Sequence, residues 1–135
     1  MTRLLVIDDQ ASDLAIATGV AACVGIDVVQ QVITVGAAQI LLESALEGSV
    51  PAPDVIVLDL DLGFESGHEM LRFWHRRLRG AGIAMIVWTV MAEEQRGICE
   101  LFGVQAVVSK WEGPGALEAA LRMLCGSGDL AVKGA

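Results

Sequence analysis

The stretch "DVIVLDLDLGFESG", residues 54–67, runs an apolar segment straight into acids. Val55, Ile56, Val57 and Leu58 are continuous rather than alternating with polar residues. Such a run reads as a strand buried on both faces, the habit of a parallel sheet. Asp59 ends it and Asp61 follows two positions later. Parallel α/β sheets carry their chemistry at the carboxyl ends of their strands, where these acids fall. Directly after them, Ser66 as N-cap and Glu69 at N3 offer a capping box for the next helix.

Outward from this stretch the same alternation repeats. Residues 4–7, 28–33, 84–88 and 106–108 are short and apolar enough to be strands. Between them lie segments of helical period. Ala37, Ile40, Leu41, Ser44 and Ala45 share one helical face, as do Leu71, Trp74 and Leu78. So do Ile98, Leu101 and Phe102, and then Leu117, Ala120, Leu121 and Leu124. Residues 10–24 are apolar nearly all round and are taken as helix by elimination. Pro114 suits the first turn of the last helix. Five β-α units with right-handed crossovers make an α/β, three-layer, doubly wound (βα)5 sandwich around a five-stranded parallel sheet. Residues 1–125 make one domain. Residues 126–135, Gly-rich and small, read as a flexible C-terminal tail or the start of a linker.

The whole chain sets further bounds. Its 135 residues suit one domain, and 54% hydrophobic content supplies a sizeable core. No apolar run approaches the roughly 20 residues of a membrane span. Leu4 to Ile7 is too short for a secretory signal. Three scattered cysteines without C-x-x-C spacing suggest reduced thiols and a cytoplasmic setting. The two histidines have no cysteine at zinc-ligand spacing. A net charge of −8 argues against direct nucleic-acid binding.

The polar residues at the strand ends form a set. Asp8 and Asp9 end the first strand, Asp59 the third, Thr89 the fourth and Lys110 the fifth. A parallel sheet brings all of them to one edge. Like charges about 4 Å apart repel by about 4 kcal/mol at an effective dielectric near 20. Three gathered carboxylates therefore need a cation or raised pKa values. Lys110 offsets one charge, and Mg²⁺, with its preference for hard oxygen ligands, would offset more. A lysine and a divalent ion around an oxygen nucleophile form a setting for phosphoryl transfer.

The segments "IDD" (7–9), "LDLDLGFESG" (58–67), "VWT" (87–89) and "VVSK" (107–110) resemble the receiver domains of response regulators, the CheY-like superfamily of two-component signalling. The resemblance runs from Arg3 to about Leu124. It implies the flavodoxin-like strand order 2-1-3-4-5, with Asp59 as phosphoacceptor. It implies Mg²⁺, replaceable by Mn²⁺, held by Asp9 and Asp59, by Asp8 through water and by the Asp61 backbone carbonyl. Thr89 becomes the switch hydroxyl, Lys110 the phosphate-pairing lysine and Gly67 the glycine closing the loop. A sensor histidine kinase or phosphotransfer protein would be the donor. The output would be a downstream protein or a C-terminal domain beyond residue 135, and the resemblance also admits a homodimer. A receiver is a signalling domain rather than a turnover enzyme, although it self-catalyses phosphorylation and dephosphorylation.

The chain departs from the family pattern at four positions. Gly63 replaces a usual Pro, Val90 a usual small residue after the switch Thr, and Trp111 a usual Pro after the lysine. Val107 stands where an aromatic rotamer normally reports phosphorylation. A trans Lys110–Trp111 bond is expected, since a cis non-proline bond costs ~2.5–4 kcal/mol. These departures point to Val90 and Trp111 as the signal output. They also keep alive a second class, an unphosphorylated pseudo-receiver that only binds protein. Locally, "DLDLG" resembles the haloacid-dehalogenase phosphatases as well. Those want Thr or Val where Gly63 stands and place the acidic pair last, whereas here it comes first. Trp74, Phe102 and Trp88 read as core. Arg72, His75, Arg76 and Arg79 read as a solvated helix face.

Overall fold

The computed structural model describes residues 2–62 and 65–125. Five parallel strands form the main sheet: β1 (Arg3–Ile7), β2 (Val28–Val32), β3 (Val55–Leu58), β6 (Ala84–Thr89) and β7 (Ala106–Ser109), in the order β2-β1-β3-β6-β7. Two short strands, β4 (Asp61–Leu62) and β5 (Glu65–Ser66), form a separate antiparallel ribbon. With that ribbon set aside, the order is the 2-1-3-4-5 that the family resemblance implies. The ribbon itself was not foreseen.

Helices α1 (Ala11–Val24), α2 (Val35–Leu46), α3 (Gly67–Gly80), α4 (Ala92–Leu101) and α5 (Pro114–Cys125) cover both faces of the sheet. Side chains alternate across each strand, so one strand feeds two cores. Leu5, Ile7, Ile56, Leu58, Met85 and Val87 pack under the face that carries α2, α3 and α4. Leu4, Val6, Val55, Val57, Ile86 and Trp88 pack against α1 and α5. Each large aliphatic side chain so buried contributes about 1.5–3 kcal/mol.

Local chemistry starts and stops the helices. Thr34 caps α2, its hydroxyl accepting from the Ala37 N–H at 3.0 Å. Ser66 caps α3 as expected, but from the second helical residue, His68, at 3.1 Å. Glu69 instead pairs with Arg72 at 3.8 Å. Gly25, at φ 88°, ends α1 in the left-handed region that favours glycine.

Two predicted helix faces are corrected. On α2 the sheet is met by Val35, Ala38, Leu42 and Ala45, while Ile40 is 72% exposed and Ala37 is exposed. On α4 it is met by Ala92 and Cys99, while Leu101 is 84% exposed and Ile98 also faces outward. Helix α2 is apolar on nearly every side, so spacing alone allows more than one phase. On α4 small residues sit against the sheet and the larger ones are left outside. The faces read for α3 and α5 agree with the structure, and Trp74 and Trp88 are core. The Gly63 departure and the tail at 126–135 lie outside the described residues.

Candidate phosphoryl and metal site

The sheet places the acids before any side chain matters. Ile7 of β1 is in register with Leu58 of β3, so Asp8 and Asp59 leave adjacent strands side by side. Backbone bonds fix both positions: the Asp59 N–H donates to the Ile7 carbonyl at 3.0 Å, and the Asp8 N–H to the Val32 carbonyl at 3.1 Å. At the other end of the same edge Thr89 is in register with Ser109, and Lys110 follows at once.

Lys110 reaches back across that edge. Its ammonium donates to Asp8 Oδ2 at 2.8 Å, to Asp59 Oδ2 at 3.1 Å and to Asp13 Oδ2 at 2.7 Å. An ammonium has three donors, and all three are committed. The same nitrogen lies 5.0 Å from the centre of the Trp88 ring, a cation–π distance. Asp8 and Asp59 are buried beside it. Burial pushes both carboxyls above the usual carboxylate range, opposed in each case by Lys110. The Asp8 charge adds to the rise at Asp59, and the Asp13 charge adds to that at Asp8. For Lys110 burial acts to lower the pKa, but its bonds to Asp13 and Asp8 and the charge of Asp59 outweigh it, and the ammonium is held charged well above its ordinary value.

The metal reading passes a test of fit. Carboxylate oxygens from Asp8, Asp9 and Asp59 lie within 4.8 Å of one another. Asp9 Oδ1 is buried and has no hydrogen-bond partner among the described residues. Leaving a buried anionic oxygen unpaired is costly, and a hard cation removes that cost. The cleft above, about 360 Å³, is lined by Asp9, Gln10, Asp13, Asp59, Asp61, Val90 and Lys110. Against a water's share of about 30 Å³, that admits a hydrated ion together with a tetrahedral oxyanion.

The remaining predicted residues take definite places. The Asp61 N–H donates to Asp59 Oδ1 at 3.2 Å, which orients the central carboxylate. Thr89 is fully buried, and its hydroxyl accepts from the Met91 N–H at 3.5 Å. A Cβ on Gly67 would stand 2.7 Å from both the Asp59 carbonyl oxygen and the Leu60 Cα. Glycine is therefore required there by close backbone approach, and the Gly67 N–H bonds the Leu60 carbonyl at 3.0 Å. Val90 is 40% exposed on the rim, and Trp111 is 80% exposed in a single 3-10 turn after β7. The Lys110–Trp111 bond is trans.

Sequence reasoning missed Asp13. It lies in the first turn of α1, four residues after Asp9. That spacing was the available signal, but residues 10–24 were read as helix only by elimination.

No protein-family model matches the sequence, and no curated protein matches it. Solved structures do. The phosphorylated cyanobacterial phytochrome response regulator RcpA aligns over 99% of this chain and 96% of its own, with TM-score 0.74 and 18% identity. The chemotaxis response regulator CheY4 of Vibrio cholerae aligns over 92% and 98%, with TM-score 0.74 and 18% identity. The Mn²⁺-bound form of response regulator Rcp1 aligns over 95% and 92%, with TM-score 0.71 and 22% identity. The five-stranded order, the flanking helices and these similarities agree: the chain has the fold of the CheY-like response-regulator receiver domains.

Proposed function

We propose that this chain is a phosphoacceptor receiver domain of two-component signalling, with Asp59 as the acceptor. One observation carries the reading: Asp8, Asp9 and Asp59 converge within 4.8 Å while Lys110 bonds two of them. Asp8, Asp9, Asp59 and the Asp61 carbonyl would hold Mg²⁺ or Mn²⁺. When bound, that ion supplies positive charge for the oxygens of a transferring phosphoryl group.

The chain's own residues do the rest. The Asp59 carboxylate, oriented by the Asp61 N–H, attacks phosphorus of a phosphohistidine on a kinase or phosphotransfer partner. The new O–P bond forms as the P–N bond breaks, and the leaving imidazole takes the electron pair and then a solvent proton. Lys110 neutralises charge on the phosphoryl oxygens, and Thr89 turns its hydroxyl toward one of them. Activity of this kind is signalling rather than substrate turnover, in a cytoplasmic setting. Among the described residues no helix is long and apolar enough to cross a membrane.

Labelling with acetyl phosphate tests the reading. The wild type should gain one phosphoryl group by mass spectrometry only with Mg²⁺ or Mn²⁺, and Asp59→Asn should gain none. Asp9→Ala should weaken divalent binding at least tenfold by calorimetry, since it removes the orphaned ligand. Labelling of Asp59→Asn would refute the acceptor. No labelling of the wild type would favour an unphosphorylated binding module on the same fold.

A further inference from the structure

Asp13 has no role in the set read from the sequence, yet it makes the shortest of the three Lys110 bonds, at 2.7 Å. The contact spans 97 residues. Its side chain is 21% exposed, against 2% for Asp8 and 6% for Asp59. Of the three carboxylates holding the ammonium, it is the one that water can take over at least cost. Its position in the first turn of α1 favours a negative charge there. It also lines the cleft that a phosphoryl group must enter.

Lysine's three donors cannot serve three carboxylates and a phosphoryl oxygen together. Pairing with an oxyanion at Asp59 requires one bond to break. Asp8 is nearly sealed, and Asp59 is the acceptor itself. Asp13 is the exchangeable partner, and its charge lies on the cleft where a second anion must arrive.

Resting on the phosphoacceptor reading, we propose that Asp13 is a positioning residue that holds Lys110 away from the phosphoryl position and releases it when the site is filled. It biases the site toward the unphosphorylated state. Two effects combine in it: competition for the ammonium and repulsion of the incoming anion. Only the competition passes through Lys110, so the two can be separated.

Beryllofluoride, a mimic of the phosphoryl group, is titrated at saturating Mg²⁺ into the wild type, Asp13→Asn, Lys110→Ala and the double variant. Circular dichroism reports that each is folded. Asp13→Asn should bind about tenfold tighter than the wild type, within the usual range of site-to-site coupling. In the Lys110→Ala background the same substitution should gain less than half as much on the logarithmic scale. Asp13→Glu, which can restore the ion pair, should return affinity toward the wild type. Binding by Asp13→Asn without binding by the wild type would support the proposal in its strongest form. Equal or weaker binding by Asp13→Asn overturns it while leaving the acceptor reading intact. An undiminished gain without Lys110 also overturns it, leaving plain repulsion. No binding by either the wild type or Asp13→Asn overturns both readings.

Discussion

Asp59 sits under opposing forces. Burial raises its carboxyl pKa first, the Asp8 charge adds to that, and Lys110 and the Asp61 N–H pull it down without cancelling the rise. A carboxyl whose folded pKa exceeds its unfolded value binds protons more readily in the native state. Its contribution to stability is therefore greatest at low pH and declines as pH rises from near 3.8 through the raised value. Asp8 acts in the same direction. The Lys110 pKa is raised too, so its contribution falls in the same direction, but only above the ordinary lysine range, and it is constant between pH 4 and 7. In metal-free buffer, Asp59→Asn should melt higher than the wild type at pH 7 by about 4 °C, corresponding to roughly 1 kcal/mol. The difference should shrink toward zero at pH 4. Calorimetry at the two pH values decides it. A lower melting temperature at pH 7 would mean that the 3.1 Å bond to Lys110 outweighs the cost of burial.

Helix α4 meets the sheet differently from the other helices on its face. Only Ala92 and Cys99 are buried on it, so it has little apolar anchorage. Arg96 supplies a polar tether, donating to the Val107 carbonyl of edge strand β7 at 2.9 Å and pairing with Glu93 at 2.8 Å. The Glu93 bond, against the small cost of burial, holds the guanidinium above its ordinary pKa. Val107 occupies the position where the resembling family carries its reporting aromatic. Here the backbone carbonyl of that residue adds a hydrogen-bonded link from β7 to α4, beside the shared core that holds Val107, Ala92 and Cys99. Arg96→Ala should destabilise the protein by about 1 kcal/mol, below the usual range for hydrogen bonds to charged groups because the side chain is partly solvated. It should also speed amide hydrogen exchange in β7 and α4 more than in β1 and β3. Uniform acceleration across all the strands would show that the tether has no local role.

For the whole molecule, the proposed phosphorylation of Asp59 needs a route from the site to the surface. Val107 is buried and has no ring to rotate. The exposed large side chains next to Thr89 and Lys110 are Val90 and Trp111, on the edge that leads to α4 and α5. Trp74 and Trp88 are buried, but the Trp88 ring lies 5.0 Å from the Lys110 ammonium, close enough to report any displacement of it. Beryllofluoride with Mg²⁺ should change tryptophan emission. Trp111→Phe should remove most of that change if the signal leaves through the 110–113 turn, whereas Trp88→Phe should remove less than half. The reverse ranking would show that Lys110 moves while the outer turn stays still.

Much of this was legible in the sequence because it is local. Continuous apolar runs specify strands buried on both faces, and their alternation with helix-period segments specifies the layers. An acid, threonine or lysine directly after such a run must then emerge on one edge of a parallel sheet, which is why Asp8, Asp9, Asp59, Thr89 and Lys110 could be grouped unseen. The exposed faces of α2 and α4 were not legible. In α2 apolar residues occur at several helical phases, and in α4 small residues take the sheet side, so only contact with the sheet selected the buried face. The need for glycine at 67 comes from the backbone of Asp59 and Leu60 standing 2.7 Å from where its Cβ would be. Asp13 pairs with Lys110 across 97 residues, a meeting decided by where α1 docks on the sheet. Local spacing determines which elements form and which end of a strand a side chain leaves. The tertiary structure alone decides which of the acids share one ammonium, because distance in space is set by packing and not by separation along the chain.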